Sequence, residues 1–185
     1  RHDVARIRLL HWQGGVWRDC GPLFPDGYSP GAREWSGSAL LDAETGRVTA
    51  FWTVAGRAGG AQRSFEQRLF QAVGQLDLSG AQPRIGDWSL PVPSVSNDGQ
   101  LYIDTGVDEG VPGRIRGFRD PYWFRDPADG RAWIFFTGSL PQARSLYNGV
   151  IGAAVAHAGD GTRIGNAGFD LQPAIVSADG LCNEL

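Results

Sequence analysis

Asp120-Pro121-Tyr122-Trp123-Phe124-Arg125-Asp126-Pro127-Ala128-Asp129-Gly130-Arg131-Ala132-Trp133-Ile134-Phe135-Phe136-Thr137 is the stretch that decides the fold. It reads as an apolar strand, a five-residue turn from Asp126 to Gly130 whose glycine can take positive φ, and a second apolar strand ending in Thr137. The stretch from Ser36 to Thr53 repeats it. Asp42, Gly46, Arg47, Phe51 and Thr53 recur as Asp126, Gly130, Arg131, Phe135 and Thr137 at a constant offset of 84 residues, with Trp52 matched by Phe136. Ser36 and Asp120 then hold equivalent places at the start of the first strand of two hairpin units. Repeated meanders predict blades around an axis, with the starts of the inner strands pointing into one central pocket. The offset exceeds the roughly 40–50 residues of common propeller repeats, so these blades are expected to carry long insertions.

Composition agrees with a turn-rich all-β chain. The 185 residues include 27 Gly and 11 Pro, no Met, and seven Trp, nine Phe and four Tyr. At 42% hydrophobic there is ample material for a core. Net charge is −3 with pI near 5.6 and no basic run, which argues against a nucleic-acid partner. No apolar run approaches the ~18–20 residues of a membrane-spanning helix. The chain opens on Arg1-His2-Asp3, with no leader pattern within it. Cys20 and Cys182 allow one disulfide or two thiols. His2, His11 and His157 are isolated and show no metal spacing.

Along the chain, residues 4–12 read as a strand turned at Gln13-Gly14-Gly15, and strands are expected at about 38–42 and 47–54. Phe65 to Leu78 fits a helix or a strand, turn and strand around Gly74. Residues 87–102 form a long connection with a turn at Asp98-Gly99. Asn148 to Val155 predicts a small-residue strand packed close to another backbone, with Asn148 satisfying backbone groups in a turn. Trp133, Phe135 and Phe136 are expected in the core.

The chemistry centres on Gly117-Phe118-Arg119-Asp120-Pro121, which sets an Arg–Asp pair at the mouth of an apolar strand. Carboxylates facing one another across a pocket are what glycosyl transfer needs, with separations of about 5–5.5 Å giving retention. A further carboxylate or an Arg can hold sugar hydroxyls as charge develops on the ring. Trp35 and Trp123 are candidates to stack on sugar faces. Asp126 sits in a hairpin turn and is given no catalytic role.

Four ordered motifs carry a resemblance: Glu34-Trp35-Ser36-Gly37-Ser38, Phe118-Arg119-Asp120-Pro121, Asn148-Gly149-Val150-Ile151-Gly152 and Asp179-Gly180-Leu181-Cys182-Asn183-Glu184-Leu185. Together they resemble levansucrases and related bacterial fructosyltransferases of glycoside hydrolase family sixty-eight. The resemblance implies a five-bladed β-propeller with a deep axial pocket, of which this chain covers about three blades as one partial catalytic domain over residues 1–185. It implies that Asp120 is the transition-state stabiliser gripping the fructosyl ring and that Arg119 is its sugar-binding neighbour. It also implies that Ser36 hydrogen-bonds near the nucleophile, that Trp35 walls the fructosyl subsite, and that Glu184 contacts sugar as the first glutamate of a Glu-x-Glu-Arg pattern. The family's nucleophile lies in a Trp-Asp-x-Trp-Pro segment that does not occur here, and its acid/base glutamate would fall just after Leu185. The chain alone is therefore expected to be inactive, with further segments or a second chain completing the propeller.

Two departures bear on function. Many relatives carry glutamate where Thr137 stands, which touches acceptor-side contacts. The calcium ligands of Gram-positive members fall where this sequence has Arg114 and Asn183, so no calcium and no other cofactor is expected. The resemblance implies a retaining, secreted or periplasmic bacterial enzyme that works through a fructosyl-enzyme intermediate and passes fructose from sucrose to water, sucrose or a growing fructan. The competing readings are a β-fructofuranosidase of the same fold and a non-catalytic sugar-binding propeller.

Overall fold

In a computed structural model, the described residues are 4–59, 63–142, 147–157, 159, 161–162 and 168–177. They form thirteen β-strands, with no α-helix among them. A separate antiparallel hairpin comes first: β1 (Arg8–Gln13) and β2 (Val16–Pro22), turned by Gly14 and Gly15. The first four-stranded meander follows as β3 (Gly31–Asp42), β4 (Arg47–Arg57), β5 (Gln67–Asp77) and β6 (Arg84–Gly86), antiparallel throughout. The second is β10 (Phe118–Arg125), β11 (Ala132–Ser139), β12 (Gly149–Ala156) and β13 (Phe169–Ser177), likewise antiparallel. Between them run β7 (Val92–Val95) and the short hairpin β8 (Gly110–Val111) and β9 (Arg114–Ile115). This connection is the insertion that stretches the repeat.

The register confirms the offset of 84 residue by residue. Trp35 pairs with Thr53 and Arg119 with Thr137, while Ser38 pairs with Phe51 and Tyr122 with Phe135. Both first strands carry a bulge at the same place, between Trp35 and Gly37 and between Arg119 and Tyr122. The turns match as well. Gly46 donates its N–H to Asp42 O and Gly130 to Asp126 O, each at 2.8 Å, with φ of 70° and 74°. The side chains of Asp42 and Asp126 accept turn N–H groups, so both are turn residues.

β7 joins the two meanders, antiparallel to β5 and parallel to β13, so that one nine-stranded sheet runs β10-β11-β12-β13-β7-β5-β4-β3 with β6 beside β5. The two end strands, β3 and β10, come back together through side-chain contacts, and the backbone N–H of Trp123 donates to Ser38 Oγ at 2.9 Å. The main core fills the space so enclosed with Phe51, Leu69, Val95, Tyr102, Phe118, Ile134, Phe136, Val150 and Phe169. A second core of Phe24, Trp52, Val54 and Phe70, flanked by Tyr28 and Trp88, covers the other face of the first meander. β4 is buried on both faces from Val48 to Gly56, with Phe51 serving one core and Ala50, Trp52 and Val54 the other, as the two-residue period of a strand requires.

Several expectations change. Residues 67–77 form one unbroken strand, neither helix nor strand-turn-strand. Gly74 is there for closeness: a Cβ at this position would come within 2.8 Å of the Trp88 ring and 2.9 Å of Ile85. At Gly152 of β12 the limit is set by aromatic rings, since an added Cβ would run into the ring of Phe136. On β11, Ile134 and Phe136 face the core, whereas Trp133 and Phe135 alternate to the opposite, half-buried face, stacked on each other at 6.2 Å. Asn148 binds backbone as expected, donating from Nδ2 to Leu140 O at 2.8 Å.

Gly74→Ala tests the close packing under Trp88. Overpacking of this kind costs about 1–3 kcal/mol, and urea unfolding should register a loss of that size. An unchanged midpoint would refute the assignment.

Candidate active site

Asp120 stands at the bulge of β10 with φ of 62°, a left-handed backbone that costs a non-glycine residue about 1–3 kcal/mol and persists only where its surroundings hold it. Its N–H donates to Thr53 Oγ1 at 2.8 Å, and Thr53 in turn donates to the carbonyl of Ser36 at 3.2 Å. Its carboxylate is held from two meanders. Ser36 Oγ donates to Oδ1, Thr137 Oγ1 donates to Oδ2 at 3.4 Å, and Arg119 Nε lies 3.3 Å from Oδ2. A carboxylate offers about four lone-pair sites. Among the described residues three groups meet it, which leaves capacity for a ligand.

Arg119 is buried, and a buried guanidinium needs partners on more than one side. Besides Asp120 it reaches Gln67 Oε1 at 3.5 Å. Gln67, itself buried in β5, also accepts the Phe118 N–H at 3.1 Å and donates to Arg116 O at 2.7 Å, so one amide sets the approach of β10 to the first meander.

These groups open onto a cavity of about 470 Å³ lined by Ala5, Arg6, Ile7, Glu34, Trp35, Ser36, Ile115, Arg119 and Asp120. Four of the five predicted site residues, Trp35, Ser36, Arg119 and Asp120, therefore meet at one cavity. Glu184 lies outside the described residues, as does Cys182. Trp123 is not part of the cavity wall: its ring packs against the main core with Arg125 over it at 5.6 Å, because the bulge turns β10 before that residue is reached. Trp35 is half-buried, with the Arg33 guanidinium 5.3 Å from its ring centre and its Nε1 without a hydrogen-bond partner.

Glu34 is the residue that spacing did not single out. It is 3% exposed, accepts the Ile7 N–H at 3.0 Å on Oε2, and has Arg6 Nε 3.8 Å from Oε1. Its own N–H donates to Ala5 O at 3.0 Å. Glu34 thus fastens residues 5–7 as the near wall of the cavity. Burial lifts its carboxyl above the ordinary glutamate value, an effect that the Ile7 N–H and Arg6 partly offset. Thr53 and Thr137 were visible as members of the repeat, but nothing in the sequence marks their hydroxyls as ligands of Asp120. Gln67 carries no sequence signal at all.

Fold and site together define a β-propeller segment whose two inner strands meet at a cavity lined by Trp35, Ser36, Arg119, Asp120 and Glu34. The sequence pattern of the levansucrase/invertase family, glycoside hydrolase family 68, matches residues 1–170, and the chain belongs to that family. A levansucrase of Pseudomonas syringae pv. actinidiae is 26% identical over 153 residues, which is 81% of this chain and 32% of that protein. One of Zymomonas mobilis is 27% identical over 146 residues. Among solved structures, inulosucrase from Halalkalicoccus jeotgali bound to kestose matches all of this chain and 46% of its own, with TM-score 0.83 and 32% identity. Bacillus subtilis levansucrase matches with TM-score 0.74 at 16% identity. The fold is that of a five-bladed β-propeller, and this chain spans about half of it: two complete four-stranded blades with the β1–β2 hairpin beside them. It spans about a third of the length of the curated levansucrases it matches.

A glutamate whose pKa is higher folded than unfolded stabilises the fold fully below its ordinary value of 4.5, and that contribution is lost as pH rises through the raised folded value. Relative to Glu34→Gln, the natural protein should therefore lose stability on going from about pH 4 to about pH 7. Paired urea unfolding across that range measures it, and a pH-independent difference between the two proteins would count against the buried carboxyl.

Proposed function

We propose that the full protein containing this chain is a retaining fructosyltransferase acting on sucrose, and that residues 1–185 are part of its catalytic propeller. The observation that carries this reading is Asp120, a carboxylate fixed in a strained backbone at a cavity and gripped by Ser36, Thr137 and Arg119. The related levansucrases and the kestose-bound inulosucrase are consistent with it.

Each residue has a part in that chemistry. Departure of glucose from sucrose leaves positive charge on the fructosyl ring, and a fixed carboxylate nearby is complementary to that charge. Asp120 would accept hydrogen bonds from ring hydroxyls with its free lone pairs, while Arg119 holds its orientation and lends a donor to the sugar. Ser36 keeps one carboxylate oxygen in place, and Trp35 offers an apolar wall to the ring face. The nucleophile and the acid/base carboxyl would come from parts of the protein outside residues 1–185. The same site serves transfer and hydrolysis alike, since the two differ only in the acceptor. The reading assigns no metal, because Arg114, exposed on β9, places a cation where the resemblance calls for an acidic calcium ligand. The secreted or periplasmic setting belongs to the same proposal.

Asp120→Asn in the full-length protein removes the charge and keeps the shape. Loss of one preorganised electrostatic contact costs about 10²–10³ in kcat, and sucrose turnover should fall by that order while the protein stays folded. Turnover near that of the natural protein would overturn the proposal, and comparing released fructose with released glucose would divide transfer from hydrolysis. Turnover should be unaffected by EDTA.

A further inference from the structure

We infer that Thr53 is a positioning residue for Asp120, acting from behind the cavity wall. Thr53 is fully buried on β4 and does not line the cavity. Its single hydroxyl accepts the N–H of Asp120 at 2.8 Å and donates to the carbonyl of Ser36 at 3.2 Å. Those two backbone groups belong to equivalent positions of the two repeats, so one oxygen ties both bulges together. Thr137, its own equivalent in the second blade, approaches the carboxylate of the same Asp120 at 3.4 Å.

The geometry gives this tie a specific task. A residue at φ of 62° stays there only if its surroundings over-determine it. The hydroxyl supplies a partner for the Asp120 N–H in exactly that backbone state, and the carboxylate direction follows from the backbone. Without the hydroxyl the N–H is left buried and unpaired, and Asp120 relaxes toward a commoner conformation. Its carboxylate then no longer meets the ring where charge develops. A misplacement of about 1 Å in a catalytic group costs about 10²-fold in rate. Ground-state binding suffers less, because Arg119, Ser36 and Trp35 remain at the cavity.

This inference rests on the reading of Asp120 as the group that grips the sugar. The test uses the full-length protein with sucrose, with rates expressed per folded molecule. Thr53→Val keeps the shape and deletes the hydroxyl; kcat should fall about ten- to a hundredfold with KM within about threefold. Thr53→Ser keeps the hydroxyl and deletes a buried methyl; its melting temperature should fall while kcat stays within about threefold of the natural protein. A folded Thr53→Val protein with normal kcat, or a Thr53→Ser protein as slow as Thr53→Val, would overturn the inference. Should Thr53→Val not fold, kcat of Thr53→Ser decides: retained, it supports the role of the hydroxyl; lost, it refutes it. Asp120→Asn measured alongside separates the two levels. If Asp120→Asn turns sucrose over normally, the reading of the site fails; if it is impaired while Thr53→Val is not, the role of Thr53 alone fails.

Discussion

The hydrogen bond from Ser36 to Asp120 is the constraint on which the arrangement of the two blades turns. The nine-stranded sheet is continuous through β7 on its outer side, but its end strands, β3 and β10, share no backbone ladder. What brings them together is a set of side-chain bonds, Ser36 to Asp120 and Ser38 to Trp123, with Thr53 of β4 bonded to both Asp120 and Ser36. Two bulges at matching places make these bonds possible, since they free Ser36 in β3 and Asp120 in β10 from ladder duty and let each face the neighbouring blade. The site is thus a product of how the blades meet, and not an ornament on either of them.

The same junction carries buried polar side chains. Arg119, Gln67 and Thr53 are all buried beside the main core, and each costs desolvation that its partners must offset. They do so by linking three strands, β4, β5 and β10, through directional bonds. Apolar contacts such as Phe118 on Phe136, with ring centres 4.8 Å apart, hold the strands close without fixing register to a fraction of an ångström. Directional bonds do fix it, and that is the difference between a packed junction and an aligned one.

How much of this was legible in the sequence depended on whether the information was local. The paired hairpins were legible because Asp-x-x-x-Gly turns and period-two apolar runs are local signals, and the offset of 84 then gave the equivalence of Ser36 and Asp120. Their direct contact follows from that equivalence around an axis. Gly74 misled because a glycine in mid-strand reads as a turn, whereas its cause is the Trp88 ring, brought there by a connection that no local pattern describes. Trp123 misled in the opposite way: its aromatic character fits a sugar platform, but the bulge at Asp120 shifts the phase of β10 and sends the ring to the core. Glu34 was visible only as part of a motif, and its role, like that of Gln67, was not, because their partners, residues 5–7 and 116–119, are distant in the chain and are ordinary backbone groups or a single guanidinium.

The equivalence of Ser36 and Asp120 also explains why the two repeats differ where they meet. Two aspartates at these places would put like charges within hydrogen-bond distance, and one carboxyl would be driven to hold its proton. Two serines would leave the junction of β3 and β10 without a carboxylate. A serine facing an aspartate sets a hydroxyl donor against the carboxylate, with the buried Arg119 guanidinium beside them. The threonines show the same division. Thr53 and Thr137 both carry hydroxyls, but one serves the backbone of Asp120 and the other its carboxylate. The symmetric scaffold thus aligns the strands, and the one asymmetric pair places a single carboxylate where they meet, which is the geometry that the proposed fructosyl chemistry requires.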